Sequence, residues 1–396
     1  MNWLVMKRLL VVSVGLAALM VGVVGAWYAV RQEREFQRLV AAGDAALAED
    51  STYRAIEAFS GALALKDDSM LAHLRRGSAY RRRGELAAAL RDLRQATSLD
   101  PAAPDPIELS GDVNMALGRY ERAAEDYRAF TRLDDQSPRV LYKLALAYYQ
   151  NQQAGQAIAP LREAVTLDPR LAEAHYLLGL CLRERSEVDE ALLALNRALE
   201  INPAFATVRE ELADLYNDAG RRREAIDQLE ALSALEPSRV DRMVNVGLAY
   251  ADWGRTQSAI LALSRAAERY PDESTVRVAL GRVWLQAAER EDDPAALGKA
   301  LEALQIVASS TGASANTLTL YGRALLLADR PGEAERALAE AARRPPVDAA
   351  AFRYLADAAE RLGHRSTARE ALVRYVALLG EDEVGRPTLE RLNRLQ

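Results

Sequence analysis

The apolar pattern of this chain returns every 34 residues. Eight small residues fall on one line at that interval: Gly43, Gly77, Gly111, Ala145, Gly179, Ala213, Gly247 and Gly281. Twelve positions after each of the first seven comes an alanine, Ala55, Ala89, Ala123, Ala157, Ala191, Ala225 and Ala259. Four further on stands a large apolar or aromatic residue: Phe59, Leu93, Tyr127, Leu161, Leu195, Leu229 and Leu263. Tyrosines recur three residues after the small position, at Tyr80, Tyr148, Tyr216 and Tyr250, and many units close in proline, at Pro101, Pro169, Pro203, Pro237 and Pro271. A period in this range predicts an array of stacked units, because each unit alone cannot bury its apolar face.

The order of aromatic, small residue, tyrosine, alanine, large apolar residue and proline resembles the tetratricopeptide repeat over roughly residues 36–382. The resemblance implies an all-α solenoid, a right-handed superhelix of helix-turn-helix units. Each residue type has a physical reason at its place. A small residue where two helices press together avoids overpacking, which costs about 1–3 kcal/mol. Gly84, Gly118, Gly220, Gly254 and Gly363 follow the first helix of their units, where a left-handed residue ends it cheaply. Asp100-Pro101, Asp168-Pro169 and Asn202-Pro203 mark the end of a second helix, since proline cannot continue it.

The phase breaks after Gly281 and resumes at Gly322 and Ala356, so the eighth unit carries seven extra residues. They fall near residues 287–298, where Asp293-Pro294 reads as a fresh helix start. A longer helical hairpin and a partner-contacting protrusion both fit this insertion. About ten units result. Residues 383–396 read as a capping helix whose Leu389, Leu392 and Leu395 would cover the last apolar face.

Ahead of the repeats, a short tail (residues 1–8) leads into 22 uncharged residues, 9–30. A helix of that length reaches about 33 Å, against about 30 Å of hydrocarbon in a bilayer. Trp3 and Trp27-Tyr28 sit at its two edges, as in aromatic belts. The segment therefore reads as one transmembrane helix. A signal peptide cleaved near Val24-Gly25-Ala26 is the alternative, although signal cores are shorter, about 7–15 residues. Lys7 and Arg8 face Arg31, Arg34 and Arg38 across the segment, so the count of basic residues leaves orientation open. A short basic N-terminal tail is the form of a signal anchor, which would place the array in the periplasm of an inner-membrane, single-pass protein. Cleavage would instead release it there. With no glycine or proline from Ala26 to Ala42, the spanning helix is expected to run directly into the first repeat.

Half of the residues are hydrophobic and no alternating strand pattern appears, in keeping with an all-helical array. Without residues 1–30 the chain holds 49 Lys and Arg against 57 Asp and Glu, a net charge of −8. So acidic a body argues against nucleic acid as a partner, because phosphate backbones reward basic stripes. The arginine runs at Arg81–Arg83 and Arg221–Arg223 read as solvated helix ends. A single cysteine, Cys181, permits no intrachain disulfide.

In the family the first helices line the concave face. That geometry implies a peptide groove with Tyr142, Leu146, Tyr149, Tyr176 and Leu180 at its middle. Asp105, Glu108, Asp112, Glu210 and Asp214 would make acidic flanks, and Arg282, Arg323 and Arg353 a basic end. Aromatic residues bury large area at low entropy cost, so they anchor peptides well. Some of these tyrosines could equally pack between units. The lysine, asparagine and arginine clamp of chaperone-binding members is missing: Val40, Asp44, Arg75, Asp105 and Leu109 occupy its places.

Nothing in the sequence suggests an enzyme. His73, His175 and His364 are scattered, the first two at one repeat position where packing explains them, and no zinc cluster, phosphate loop or nucleophile elbow occurs. No cofactor and no small-molecule substrate is expected. Two functions fit: a membrane-anchored scaffold for protein partners of a bacterial cell-envelope complex, or a non-catalytic regulatory or substrate-delivery subunit of a membrane enzyme such as a glycosyltransferase or protease.

Overall fold

The computed structural model describes the backbone of residues 3–395, and the side chains among them except those of residues 3–15, 17, 18, 381 and 382. Two compact units divide the chain at Pro203. The first is five helical hairpins: α1 (Trp3–Ala48) with α2 (Thr52–Leu65), α3 (Met70–Arg83) with α4 (Leu86–Leu99), α5 (Pro104–Ala116) with α6 (Tyr120–Thr131), α7 (Pro138–Gln150) with α8 (Ala154–Leu167), and α9 (Ala172–Glu184) with α10 (Val188–Ile201).

The second unit opens with α11 (Ala206–Asp218) and α12 (Arg222–Leu235), then α13 (Val240–Asp252) and α14 (Thr256–Arg269). The pairs α15 (Ser274–Glu291) with α16 (Pro294–Ala308), α17 (Ala315–Leu327) with α18 (Pro331–Ala341), and α19 (Ala349–Arg361) with α20 (Arg365–Leu379) follow. Short helices α21 (Glu381–Val384) and α22 (Arg386–Arg394) close it, and α22 lays Leu392 on the apolar cluster of the last two pairs, as does Leu395 just after it.

Close approach of the paired helices explains the line of small residues. A Cβ built on Gly111 would lie 2.5 Å from Tyr127 Cε1, and one on Gly281 would lie 2.5 Å from Leu304 Cγ. In the seven hairpins with glycine at this position the large residue that fills the contact comes from the second helix, and Phe59, Leu93, Tyr127, Leu161, Leu195 and Leu263 are fully or almost fully buried. The alanines beside them are buried too, and their small side chains let the helices close in around that one large residue.

The turn inside each hairpin is also a fixed device. Gly84, Gly118, Gly220, Gly254 and Gly363 adopt positive φ, and in the other five hairpins Asp50, Gln152, Ser186, Asp292 and Asp329 do so in their place. Only glycine takes that conformation without a steric cost. Ser186→Gly is therefore expected to raise stability by about 1 kcal/mol, while Gly118→Ser loses a similar amount. Paired thermal melts check both, and a Ser186→Gly chain that melts lower than wild type contradicts the argument.

The seven-residue insertion resolves into a longer hairpin. α15 runs 18 residues where its counterparts run 13 or 14, and it ends at Asp292 in the left-handed region. Asp293 then caps α16, its Oδ1 accepting from Ala295 N at 2.8 Å, with Pro294 at the first helical position. The added turn is packed: Ala287, Ala288 and Ala296 form a buried cluster against Trp284 and Leu297.

α1 is one uninterrupted helix of 46 residues, and among its described side chains Phe36 is the first to join the core. Among the described residues no helix is long and apolar enough to cross a membrane. The expected span, residues 9–30, includes 9–15, 17 and 18, whose side chains lie outside the described residues.

Candidate functional site

First helices of successive hairpins touch one another: α1 with α3, α3 with α5 and α7 with α9 in the first compact unit, and α13, α15, α17 and α19 in sequence in the second. The candidate groove residues fall on the first helices of their hairpins. In the first unit Tyr142, Leu146 and Tyr149 on α7 and Tyr176 and Leu180 on α9 are all half-buried, between the core and solvent. Tyr176 lies within electrostatic reach of both Tyr142 and Tyr149. Burial raises the hydroxyl pKa of Tyr142, with the charge of Glu173 adding to the effect; burial and then the nearby charge of Glu184 do the same for Tyr149. Both phenols stay protonated at neutral pH.

Beside the tyrosines, the expected acidic flank is charge-paired. Glu108 accepts from Arg139 at 2.6 Å and Lys143 at 2.7 Å, and Asp112 accepts from Lys143 at 2.6 Å and from the Tyr127 hydroxyl at 2.7 Å. Burial pushes the Glu108 carboxyl up, but the Lys143 and Arg139 hydrogen bonds outweigh it and leave its pKa lowered. Asp105 stays exposed at the start of α5. Arg139 and Lys143 were not singled out from the sequence. Their signal is a spacing of 31 or 35 residues from the partner, close to one repeat.

In the second unit Glu210 is neutralised by Arg242, which also donates to Glu236 at 2.9 Å. Asp214 is exposed and lines a cleft of about 250 Å³ with Asn217, Asn245, Leu248 and Asp252. Arg282 is one wall of a separate cleft of about 360 Å³ between α13, α15 and α17, with Val244, Leu248, Val278 and Leu320 supplying apolar surface. Its guanidinium is only loosely paired, 3.8 Å from Asp252. Arg323 pairs with Glu289, and the Arg323 and Arg353 guanidinium groups lie 5.6 and 4.7 Å from the Tyr354 ring centre. The structure thus brings Arg323 and Arg353 together through Tyr354, a residue that no 34-residue pattern marks.

The histidines are each taken up by a local hydrogen-bond partner. His73 Nδ1 lies 3.0 Å from Asp92 Oδ1, His175 Nε2 lies 3.2 Å from the Pro169 carbonyl, and His364 Nδ1 lies 2.8 Å from Glu335. No group of three or more metal-binding side chains occurs among the described residues. Cys181 is buried, and burial pushes its thiol up to about 12, a poor starting point for thiolate chemistry.

A family model described as tetratricopeptide repeat matches residues 40–104, 109–172, 142–204 and 210–274, together more than half of the chain. No match to a curated protein is found. Among solved structures, the C-terminal part of a TPR repeat-containing protein from Cytophaga hutchinsonii is similar over 60% of this chain and 98% of its own, at 17% identity and a TM-score of 0.52. A tetratricopeptide repeat protein from Parabacteroides merdae covers 63% of this chain and 99% of its own at 18% identity, with a TM-score of 0.46. YrrB, described as a TPR protein with an unusual peptide-binding site, covers 46% and 94% at 23% identity and a TM-score of 0.42. At such identities the likeness concerns the fold.

Proposed function

Because the chain belongs to the tetratricopeptide repeat family, we infer that it is a non-catalytic scaffold which captures segments of partner proteins on its first-helix faces. The observation that carries this reading is the half-buried group of Tyr142, Tyr149 and Tyr176 beside the paired charges of Glu108, Asp112, Arg139 and Lys143. Half-buried aromatic rings anchor a partner by burying their remaining exposed area at low entropy cost. A neutralised flank tolerates a partner of either charge. The Arg282 cleft of the second unit offers a further apolar seat with one cation at its wall.

Replacing Tyr142 and Tyr176 together with alanine is expected to weaken partner capture about tenfold or more, since an anchor side chain is worth upwards of about 1–2 kcal/mol. Helicity and melting should stay close to wild type. Crosslinking from membranes, quantified for wild type and variant, reads the first, and circular dichroism the second. Loss of folding would place both rings in the core and remove the site.

The reading includes anchorage at a bilayer. Leu19, Met20, Val21, Val23 and Val24 are exposed on α1, as are Trp27 and Tyr28, and this part of the helix lies before the first core residue. Apolar surface left uncovered in this way is satisfied by lipid, with Trp27 at the interface and the Arg31 guanidinium 5.4 Å from its ring. The repeats then stand on the extracytoplasmic side of an inner membrane. Alkaline phosphatase fused after Gln396 should be active and a cytoplasm-only reporter silent, and carbonate washing should leave the chain in the membrane fraction. The opposite reporter pattern would reverse the orientation, and release by carbonate would remove the anchor.

A further inference from the structure

A second kind of site lies away from the tyrosine group, between α4, α5 and α6. Three residues after the small residue, the repeat places tyrosine in four units, and two of these rings, Tyr148 and Tyr250, reach back to the second helix of the preceding unit. Tyr148 accepts from Arg128 at 2.6 Å, and Tyr250 donates to Glu230 at 2.8 Å, the partner in each case lying 20 residues earlier. In the third unit that position is Asn114, and the residue 20 earlier is Arg94. Asparagine is too short to fill the notch. A cleft of about 510 Å³ opens there, with Leu90, Ile107 and Ala129 as apolar surface and Arg94, Asn114 and Asp126 as polar lining. That volume is within the range of small-molecule and side-chain pockets, about 300–1,000 Å³.

Asn114 is buried, at 3% exposure, and its hydrogen bonding is half complete. Its Nδ2 donates to Asp126 Oδ2 at 2.7 Å, so its Oδ1 must point elsewhere, and that atom has no hydrogen-bond partner. A buried acceptor without a donor is unfavourable, and native structures leave few of them. The tenth unit supports the link between the missing ring and the opening. Its equivalent position is Ala359, and a cleft of about 560 Å³ opens between α18, α19 and α20, lined at matching register positions by Ala339, Phe352, Leu355 and Ala371. There the residue 20 earlier is Ala339, so that cleft lacks the polar pair.

We propose that the notch between α4, α5 and α6 is a vacant tyrosine slot that takes a tyrosine side chain from a partner protein. The ring replaces the one the repeat omits, packing on Leu90, Ile107 and Ala129. Its hydroxyl accepts from Arg94, as Tyr148 accepts from Arg128, and donates to Asn114 Oδ1 once the amide, whose oxygen is sealed from solvent in the empty notch, turns toward it. Phenylalanine would fill the space and leave Oδ1 unpaired, so a phenol is selected over a plain benzene ring. This site is independent of the first-helix tyrosine group, and either can fail without the other.

The test is photolabelling of the full-length chain with a diazirine-bearing phenol and with its hydroxyl-free analogue, the labelled peptides being mapped by mass spectrometry. The phenol is expected to label α4–α6 at least fivefold more than the analogue does. Asn114→Tyr, which restores the repeat's own residue, should cut that labelling at least fivefold and melt at or above wild type. Arg94→Ala should reduce phenol labelling of α4–α6 without changing the melt, because Arg94 is exposed. Tyr142→Ala with Tyr176→Ala should leave it unchanged. Equal labelling by the two probes, labelling that persists in folded Asn114→Tyr, or a clear drop in the melt of Asn114→Tyr would each overturn the proposal.

Discussion

Asp92→Ala should lower local stability by about 3–5 kcal/mol, the usual cost of removing one partner from a buried charge pair. Asp92 sits on α4 with only 7% of its side chain exposed, and it serves two side chains on α3. Arg76 donates to it in bidentate fashion, Nε at 2.7 Å and Nη2 at 2.8 Å, while His73 Nδ1 lies 3.0 Å away. Arg76 also reaches Ser60 on α2 at 3.1 Å, so three helices are tied through one carboxylate. Removing it strands a guanidinium that is itself only 22% exposed. Arrays of this kind open locally, so the measurement is hydrogen exchange of the α3 and α4 amides rather than a single melt. Protection there should fall while α13–α16 keep theirs. A combined Arg76→Met and Asp92→Leu chain should recover much of the loss, because apolar residues of similar volume replace buried ion pairs at little cost. A loss below about 1 kcal/mol in Asp92→Ala would mean that the network is solvated like a surface bridge.

Tyr127→Ala is expected to cost a similar amount, about 3–5 kcal/mol for deleting a fully buried aromatic ring. The ring lies 1% exposed against Gly111, and its hydroxyl donates to Asp112. The informative experiment is the cycle with Gly111→Ala. Alone, that change drives a Cβ to 2.5 Å from Tyr127 Cε1 and should destabilise by about 1–3 kcal/mol. In the Tyr127→Ala background the obstacle is gone, and alanine's better helix propensity should make the same change neutral or favourable, a coupling that distant sites do not show. Hydrogen exchange of α5 and α6 measures all four corners. Additive effects would show that the small residue answers to something other than the ring across from it.

Much of the fold was legible because stacking is local and repeats itself. Gly111 predicts Tyr127, Gly281 predicts a short contact in its own hairpin, and each glycine at the end of a first helix announces a left-handed turn. Where the pattern broke, the sequence supplied the number of extra residues after Gly281 and left two shapes open. Packing of Ala287, Ala288 and Ala296 against Trp284 and Leu297 decided for the longer hairpin. Asp50, Gln152, Ser186, Asp292 and Asp329 were invisible as turn residues, because side-chain identity says little where the surrounding hairpin enforces the conformation.

Charges were the hardest to read. Asp112 and Glu210 look like free acids along the chain, yet Lys143 and Arg242 neutralise them from the next hairpin. Long flexible side chains choose partners by distance across helices, and a one-dimensional register records only that such partners lie about a repeat away. The sequence alone determined the period, the hairpins and the helix contacts, because each follows from residue size and backbone conformation at fixed spacing. Only the tertiary structure decided which charges cancel, that Tyr142, Tyr149 and Tyr176 form one half-buried group, and that a missing ring at Asn114 opens a cleft. Those outcomes depend on how neighbouring units fill or fail to fill the space between them.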